Sequence, residues 1–137
     1  MQEECKIKVT VVGSNPSSKS PDDTPFHPST KSRRFIDDMF AGCNVELSYA
    51  NIVDYKTANN KPLSKSEIKS QLDNIKSKFI EDPNIKIITF GSAASYGLEL
   101  AGIEHFAMPH PSGLCRFWND KVIAEAKIKE MLAWVKN

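Results

Sequence analysis

Hydrophobic positions along the chain fall into short runs that alternate between two periods. Residues 6–12, KIKVTVV, are β-branched and bounded by Gly13, so they read as a strand that becomes buried toward its end. From Ser32 to Ala41 the apolar residues Phe35, Ile36, Met39 and Phe40 follow helical spacing, and Gly42 is placed to cap that helix. Residues 45–53, VELSYANIV, read as a second strand and its exit. Ser64 opens the next helix: with Glu67 it matches an S-x-x-E capping box, in which each side chain satisfies an orphan backbone donor of the other residue. Ile68, Leu72, Ile75 and Phe79 then form one apolar stripe, and Asp82-Pro83 ends the helix. Residues 85–90, IKIITF, form a short apolar strand of the kind buried in parallel sheets. A helix over 92–101 follows Gly91, with Ser92 as its N-cap. Residues 103–108, IEHFAM, give a fourth strand. A last helix runs from Asn119 to Val135, with Ile123, Ala126, Met131, Leu132 and Val135 inward.

This alternation predicts an α/β protein: a three-layer α/β/α arrangement around a short, mostly parallel four-stranded sheet. Residues 13–30 hold five Ser, four Pro and no aliphatic side chain, a loop too long to be a plain connection, so a functional or a disordered segment is expected. Shorter loops fall at 55–62 and 109–116. In such sheets ligands bind beyond the carboxyl ends of the strands. The loops 13–30 and 109–116 both follow strands, so the topology brings them to one edge.

Length and composition narrow the class. The 137 residues fit one domain, 1–137, with no boundary, repeat or low-complexity segment. At 40% hydrophobic and 26% charged, disorder throughout is excluded. No 18-residue apolar run and no secretory leader pattern is visible, so no membrane association is expected. Cys5, Cys43 and Cys115 are odd in number and lack CxxC spacing, which argues against a disulfide framework or a zinc site. A reduced, cytosolic monomer without metal or cofactor is the expectation. The net charge is +1, so any nucleic-acid contact must be a local patch. The run Lys31, Arg33, Arg34 is one candidate; a solvated helix start is the plainer reading.

Two loops carry the candidate chemistry. The first opens VVGSNPSS. Gly13 permits a tight strand exit, Pro16 stiffens the turn, and Asn15 between them either closes an Asx-turn or projects into the crevice. The other reads MPHPSGLCR, with two prolines confining His110 to extended backbone and Ser112-Gly113 making a turn. Leu114, followed by Arg116, has two readings: core packing, or a wedge that fills a gap in a duplex with Arg116 on a phosphate. His27, Asp22 and Asp23 read as caps of loop backbone, Trp118 and Trp134 as packing, and Cys115 as unreactive.

Taken together, the two motifs resemble those of the uracil-DNA glycosylase superfamily, most closely its mismatch-specific uracil/thymine branch. That branch has GxNPG after the first strand, a Ser-rich loop, a Phe, an HP dipeptide and an R-F helix start; this chain has GSNPSS and TPFHPSTKSRRF. The branch's second motif resembles NPSGLSR, and this chain has HPSGLCR. The resemblance spans residues 7–135. It departs from the branch at Ser17, where the branch has Gly, and at His110, where it has Asn; HPS occurs in the single-strand-selective and classical enzymes. The chain is also short for the superfamily.

The resemblance implies base flipping and hydrolysis of the glycosidic bond of uracil or a related altered pyrimidine, in single- or double-stranded DNA. It implies Asn15 and His110 as catalytic residues, the first orienting water and the second stabilising the departing base. It puts Gly13, Ser14, Phe26 and Ser92 at the base. It puts Ser17, Lys31, Arg33, Ser112, Gly113, Leu114 and Arg116 at the DNA. Two alternatives stay open: a module of this fold that binds a base or nucleotide without cutting, and an enzyme acting on free nucleotides or nucleosides.

Overall fold

A computed structural model describes residues 6–16, 21–57, 61–79, 82–111 and 116–136. Its four strands are β1 (Ile7–Gly13), β2 (Val45–Asn51), β3 (Ile85–Phe90) and β4 (Phe106–Met108). They form one sheet in the order β2-β1-β3-β4, with every neighbouring pair parallel. The five α-helices are α1 (Lys31–Met39), α2 (Lys65–Ser70), α3 (Leu72–Lys78), α4 (Ser92–Leu100) and α5 (Lys121–Lys136), with a 3-10 turn at Arg116–Asn119.

The pleat of β1 sorts the core into two halves. Val9 and Val11 point to one face, where they meet Ile36 and Met39 of α1 and Met131 and Val135 of α5. Val12 points to the other, among Ile68 of α2, Ile75 of α3 and Ala94 and Leu98 of α4. Helices thus cover both faces of the parallel sheet, the α/β/α layering expected from the alternation. The chain leaves β1 sideways toward β2 and leaves β3 toward β4. A crevice therefore opens between the carboxyl ends of β1 and β3, where the direction of winding reverses.

Four elements differ from the sequence reading. The stripe 68–79 is carried by two helices that meet at Gln71, whose φ of −98° and ψ of 6° depart from helical values, while Ser64 and Glu67 do form the capping box. Gly91, not Ser92, is the N-cap of α4, because only a residue free to take φ of 99° makes that turn. The fourth strand begins at Phe106 rather than at residue 103. Residues 102–103 instead close α4: Gly102 N–H donates to Glu99 O at 3.1 Å and Ile103 N–H to Leu98 O at 3.0 Å, a Schellman pair with Gly102 at φ 71°. In α5 the inward stripe is Ala124, Ile128, Met131 and Val135, while Ile123 and Ala126 face solvent. Asp120 sets that phase by accepting the N–H groups of Val122 and Ile123.

Candidate active site

The β1 side of the crevice is built by the ladder itself. Past the paired residues Gly13 and Asn51, Ile52 N–H donates to Gly13 O and Val53 N–H to Ser14 O, each at 3.0 Å. The exits of β1 and β2 thus run side by side. Asn15 stands at the end of this extension, with its Nδ2 donating to Tyr55 O at 3.2 Å. Only the NH2 end of an amide can face a carbonyl, so the orientation of Asn15 is fixed. Its Oδ1 accepts from Ser14 Oγ at 3.0 Å and keeps a second lone pair. Tyr55 is tethered in turn, its hydroxyl donating to Oε2 of Glu67 in the α2 capping box. Of the two readings for Asn15, the amide nitrogen reaches a partner forty residues away, across the strand exit, as a side chain projecting from the loop does.

Phe26 covers this exit. A Cβ on Gly13 would lie 2.8 Å from Phe26 Cζ and 2.8 Å from Asn51 Oδ1, so only glycine lets ring and amide come this close. Phe26 has φ of 48°, the one positive value among described residues other than glycine. Such a conformation costs of order 1 kcal/mol or more and persists only where its surroundings hold it. Here its carbonyl accepts Arg33 Nη1 at 3.2 Å and its ring lies 5.8 Å from that of Tyr49.

The β3 and β4 side carries His110. A Cβ on Gly91 would approach His110 Cδ2 to 3.2 Å, so the imidazole rests against the glycine that starts α4. Partial burial against that wall lowers the His110 pKa below the usual imidazole value, although the residue keeps an exposed edge. The backbone is held from the other direction: Trp118 Nε1 donates to His110 O at 2.7 Å, and the Trp118 ring packs edge-on against Phe35 of α1. Gly91, Ser92 and His110 line one end of an open groove of about 830 Å³ that continues past Ser95, Tyr96 and Glu99 of α4. In its wall Ser95 Oγ and His105 Nε2 are 2.9 Å apart, and His105 Nδ1 lies 2.8 Å from Ile103 O. The carbonyl requires an N–H at Nδ1, so in the neutral ring Nε2 accepts from Ser95. The pair ties α4 to the segment leading into β4.

The structure therefore gathers Gly13, Ser14, Asn15 and Phe26 at one strand exit and Gly91, Ser92 and His110 at the next. These exits adjoin, since Val12 pairs with Thr89 in the sheet. Lys31 is exposed on the first turn of α1. The Arg33 guanidinium is engaged within the protein: its Nε contacts both Asp37 oxygens and its plane lies 3.8 Å over the Tyr49 ring. Arg116 opens the 3-10 turn that carries Trp118. Ser17, Ser112, Gly113, Leu114 and Cys115 lie outside the described residues. His27 and Asp22 act as loop caps, accepting the N–H of Ser29 and Thr24 respectively.

Sequence reasoning missed Tyr55, Trp118, Tyr49 and Asn51 as parts of the site. Trp118 gave a usable signal, because an indole N–H that packs needs an acceptor. Asn51, 4% exposed at a strand end, gave another: a polar side chain set between Ala50 and the apolar pair Ile52-Val53.

A comparison with curated proteins found no match. The profile of the uracil DNA glycosylase superfamily matches residues 2–136. That span includes both strand exits, all four strands and the described length of every helix. With its parallel sheet and paired exits, the chain belongs to the uracil DNA glycosylase superfamily.

Proposed function

We propose that the protein is a monofunctional DNA glycosylase that hydrolyses the bond between deoxyribose and uracil or a related altered pyrimidine. The observation that carries this reading is the oriented Asn15 amide at the β1 exit, beside His110 at the neighbouring exit, in a chain of this family. An amide has no useful basicity near neutral pH, so Asn15 holds water rather than deprotonating it. An Oδ1 lone pair accepts one hydrogen of the water while the water oxygen faces C1′.

The C1′–N1 bond breaks with both electrons going to the base, leaving an oxocarbenium-like sugar. His110 donates a hydrogen bond to the carbonyl oxygen on which negative charge grows. The lowered pKa suits a neutral imidazole in this role, as the ring need not be protonated to donate. The water oxygen then joins C1′, its proton passes to solvent, and the base anion takes a proton from solvent. Phe26 stacks on the flipped base, worth about 1–3 kcal/mol. Backbone at Gly13–Ser14 and Ser92 lines the base. Ser17, Ser112, Gly113, Arg116 and Lys31 contact the strand, and Leu114 fills the vacated space in the duplex. The motifs VVGSNPSS and HPSGLCR favour the mismatch-specific branch, with His110 in place of its Asn.

The test is an abasic-site assay on labelled DNA carrying one uracil, single-stranded and opposite G or A, with Asn15→Ala beside the parent. Cleavage lost in the variant supports the reading. Tight binding of uracil DNA with no abasic product would replace it with a non-catalytic module. Turnover of free deoxyuridine but not of DNA would replace it with a nucleoside hydrolase.

A further inference from the structure

A closed ring of contacts surrounds the backbone of Phe26. Arg33, on the first turn of α1, directs its groups to three partners from three parts of the fold. Its Nε lies 3.1 and 3.2 Å from the two oxygens of Asp37, one turn along α1. Its Nη1 reaches Phe26 O in the loop at 3.2 Å. Its plane stacks on Tyr49 of β2 with Cζ 3.8 Å from the ring centroid. Tyr49 completes the ring: its hydroxyl donates to Asp37 Oδ1, and its aromatic ring meets that of Phe26. Burial, then the Asp37 carboxylate, push the phenol well above its ordinary pKa, so this donor persists across the working pH range.

From this we infer that Arg33 is a positioning residue for base recognition: it holds Phe26 in its left-handed conformation over Gly13, with the ring in place to stack on a flipped pyrimidine. The inference rests on the reading of Phe26 as the stacking ring. Two properties of the guanidinium are required, its planar face for Tyr49 and its fork of donors for Asp37 and Phe26 O. An ammonium has neither the plane nor the fixed fork. Elsewhere in the described part of the loop, Asp22 accepts Thr24 N–H upstream of Phe26. Thr30 caps α1 by accepting Arg33 N–H, and its hydroxyl donates to His27 O, but both bonds act downstream of Phe26. The Phe26 φ of 48° is unfavourable for a side-chain-bearing residue, so loss of the fork lets the backbone relax and the ring leave Gly13.

The test compares the parent, Arg33→Lys, Phe26→Ala and the double variant. The first readout is affinity for a single-stranded oligonucleotide with one 2′-fluoroarabinouridine, a uracil nucleotide whose electron-poor sugar resists cleavage. The second is amide hydrogen exchange over residues 24–30. The third is the KM and kcat of uracil excision. Arg33→Lys is expected to weaken uracil-strand binding about tenfold, within the range for loss of one base–aromatic stack. Affinity for the same strand with adenine in place of uracil should stay unchanged, exchange over 24–30 should quicken, and KM should rise more than kcat falls. Adding Phe26→Ala should weaken binding no further. Unchanged uracil affinity in Arg33→Lys overturns the proposal, whether or not exchange quickens. Equal weakening for uracil and adenine strands also overturns it, because Arg33 then acts on phosphate. A parent that neither binds nor cleaves uracil DNA fails the functional reading itself, before any variant is compared.

Discussion

At the β1–β2 exit, side chains determine one another: Ser14 and Tyr55 fix Asn15, Glu67 fixes Tyr55, and Arg33 with Tyr49 fixes Phe26. At the β3–β4 exit the means are different. Glycine leaves room for His110, a tryptophan holds it by the backbone carbonyl, and an open groove lies beside it. Among the described residues the imidazole itself is held by packing rather than by a side-chain tether. In the proposed chemistry the division is sensible. Water must be aimed at one carbon, so its holder is restrained in orientation as well as place. The leaving base moves as its bond breaks, and a ring that packs against a glycine can follow it. On that reading, preorganisation in this fold is placed where the nucleophile would be held.

The sharpest break in the comparison is Asn15→Ala. Uracil excision is expected to fall by about 10²–10³ or more, the scale of losing a preorganised group at a transition state. Thermal denaturation should change little, because the residue lies at the crevice rim. Gly13→Ala comes next. Its Cβ would meet Asn51 Oδ1 and Phe26 Cζ at 2.8 Å, so a loss of about 1–3 kcal/mol in denaturant unfolding is expected, with activity falling as the ring is displaced. On the other lip, Trp118→Phe keeps an aromatic against Phe35 but removes the donor to His110 O. It should cost about 0.5–1.5 kcal/mol in stability and a few-fold in excision rate.

The smallest effect is on pH dependence. Burial holds the His110 pKa below its ordinary value of 6.5, so the ring is neutral at pH 7. Excision should not respond to His110 titration at neutral pH or through the ordinary imidazole range; any change tied to the ring gaining its proton should come only below that range, and His110→Asn should remove it. Stability follows the same sign. Protonation is disfavoured in the folded state, so the His110 contribution is full above pH 6.5 and fades as pH falls through the lowered pKa.

Much of the frame was legible in the chain because its causes are local. The β-branched run to Gly13, the Ser64–Glu67 box and the apolar strand IKIITF each announce themselves within a few residues. What stayed hidden depends on distant partners or on helix phase. Nothing near Tyr55 says that its carbonyl will hold an amide forty residues earlier. Arg33 sits in a basic run, and the run suggests phosphate; only the fold brings Tyr49 beneath its guanidinium. The length of the fourth strand was misread for a local reason, since Ile103 can pair in a sheet or close a helix, and the preceding Gly102 decides for the helix.

The ladder that continues from Gly13–Asn51 into Ser14–Val53 acts as a ruler. It counts residues from the middle of the sheet to the point where Asn15 meets Tyr55. A one-residue insertion between Val45 and Tyr55 would turn every later side chain to the opposite face and leave the amide without its carbonyl. Beyond Tyr55, Thr57 Oγ1 donates to Lys61 O at 2.6 Å, a bond that does not touch the ladder. Lengthening within residues 57–61 leaves the ruler intact, so length variation among relatives that keep the chemistry belongs there and not before it.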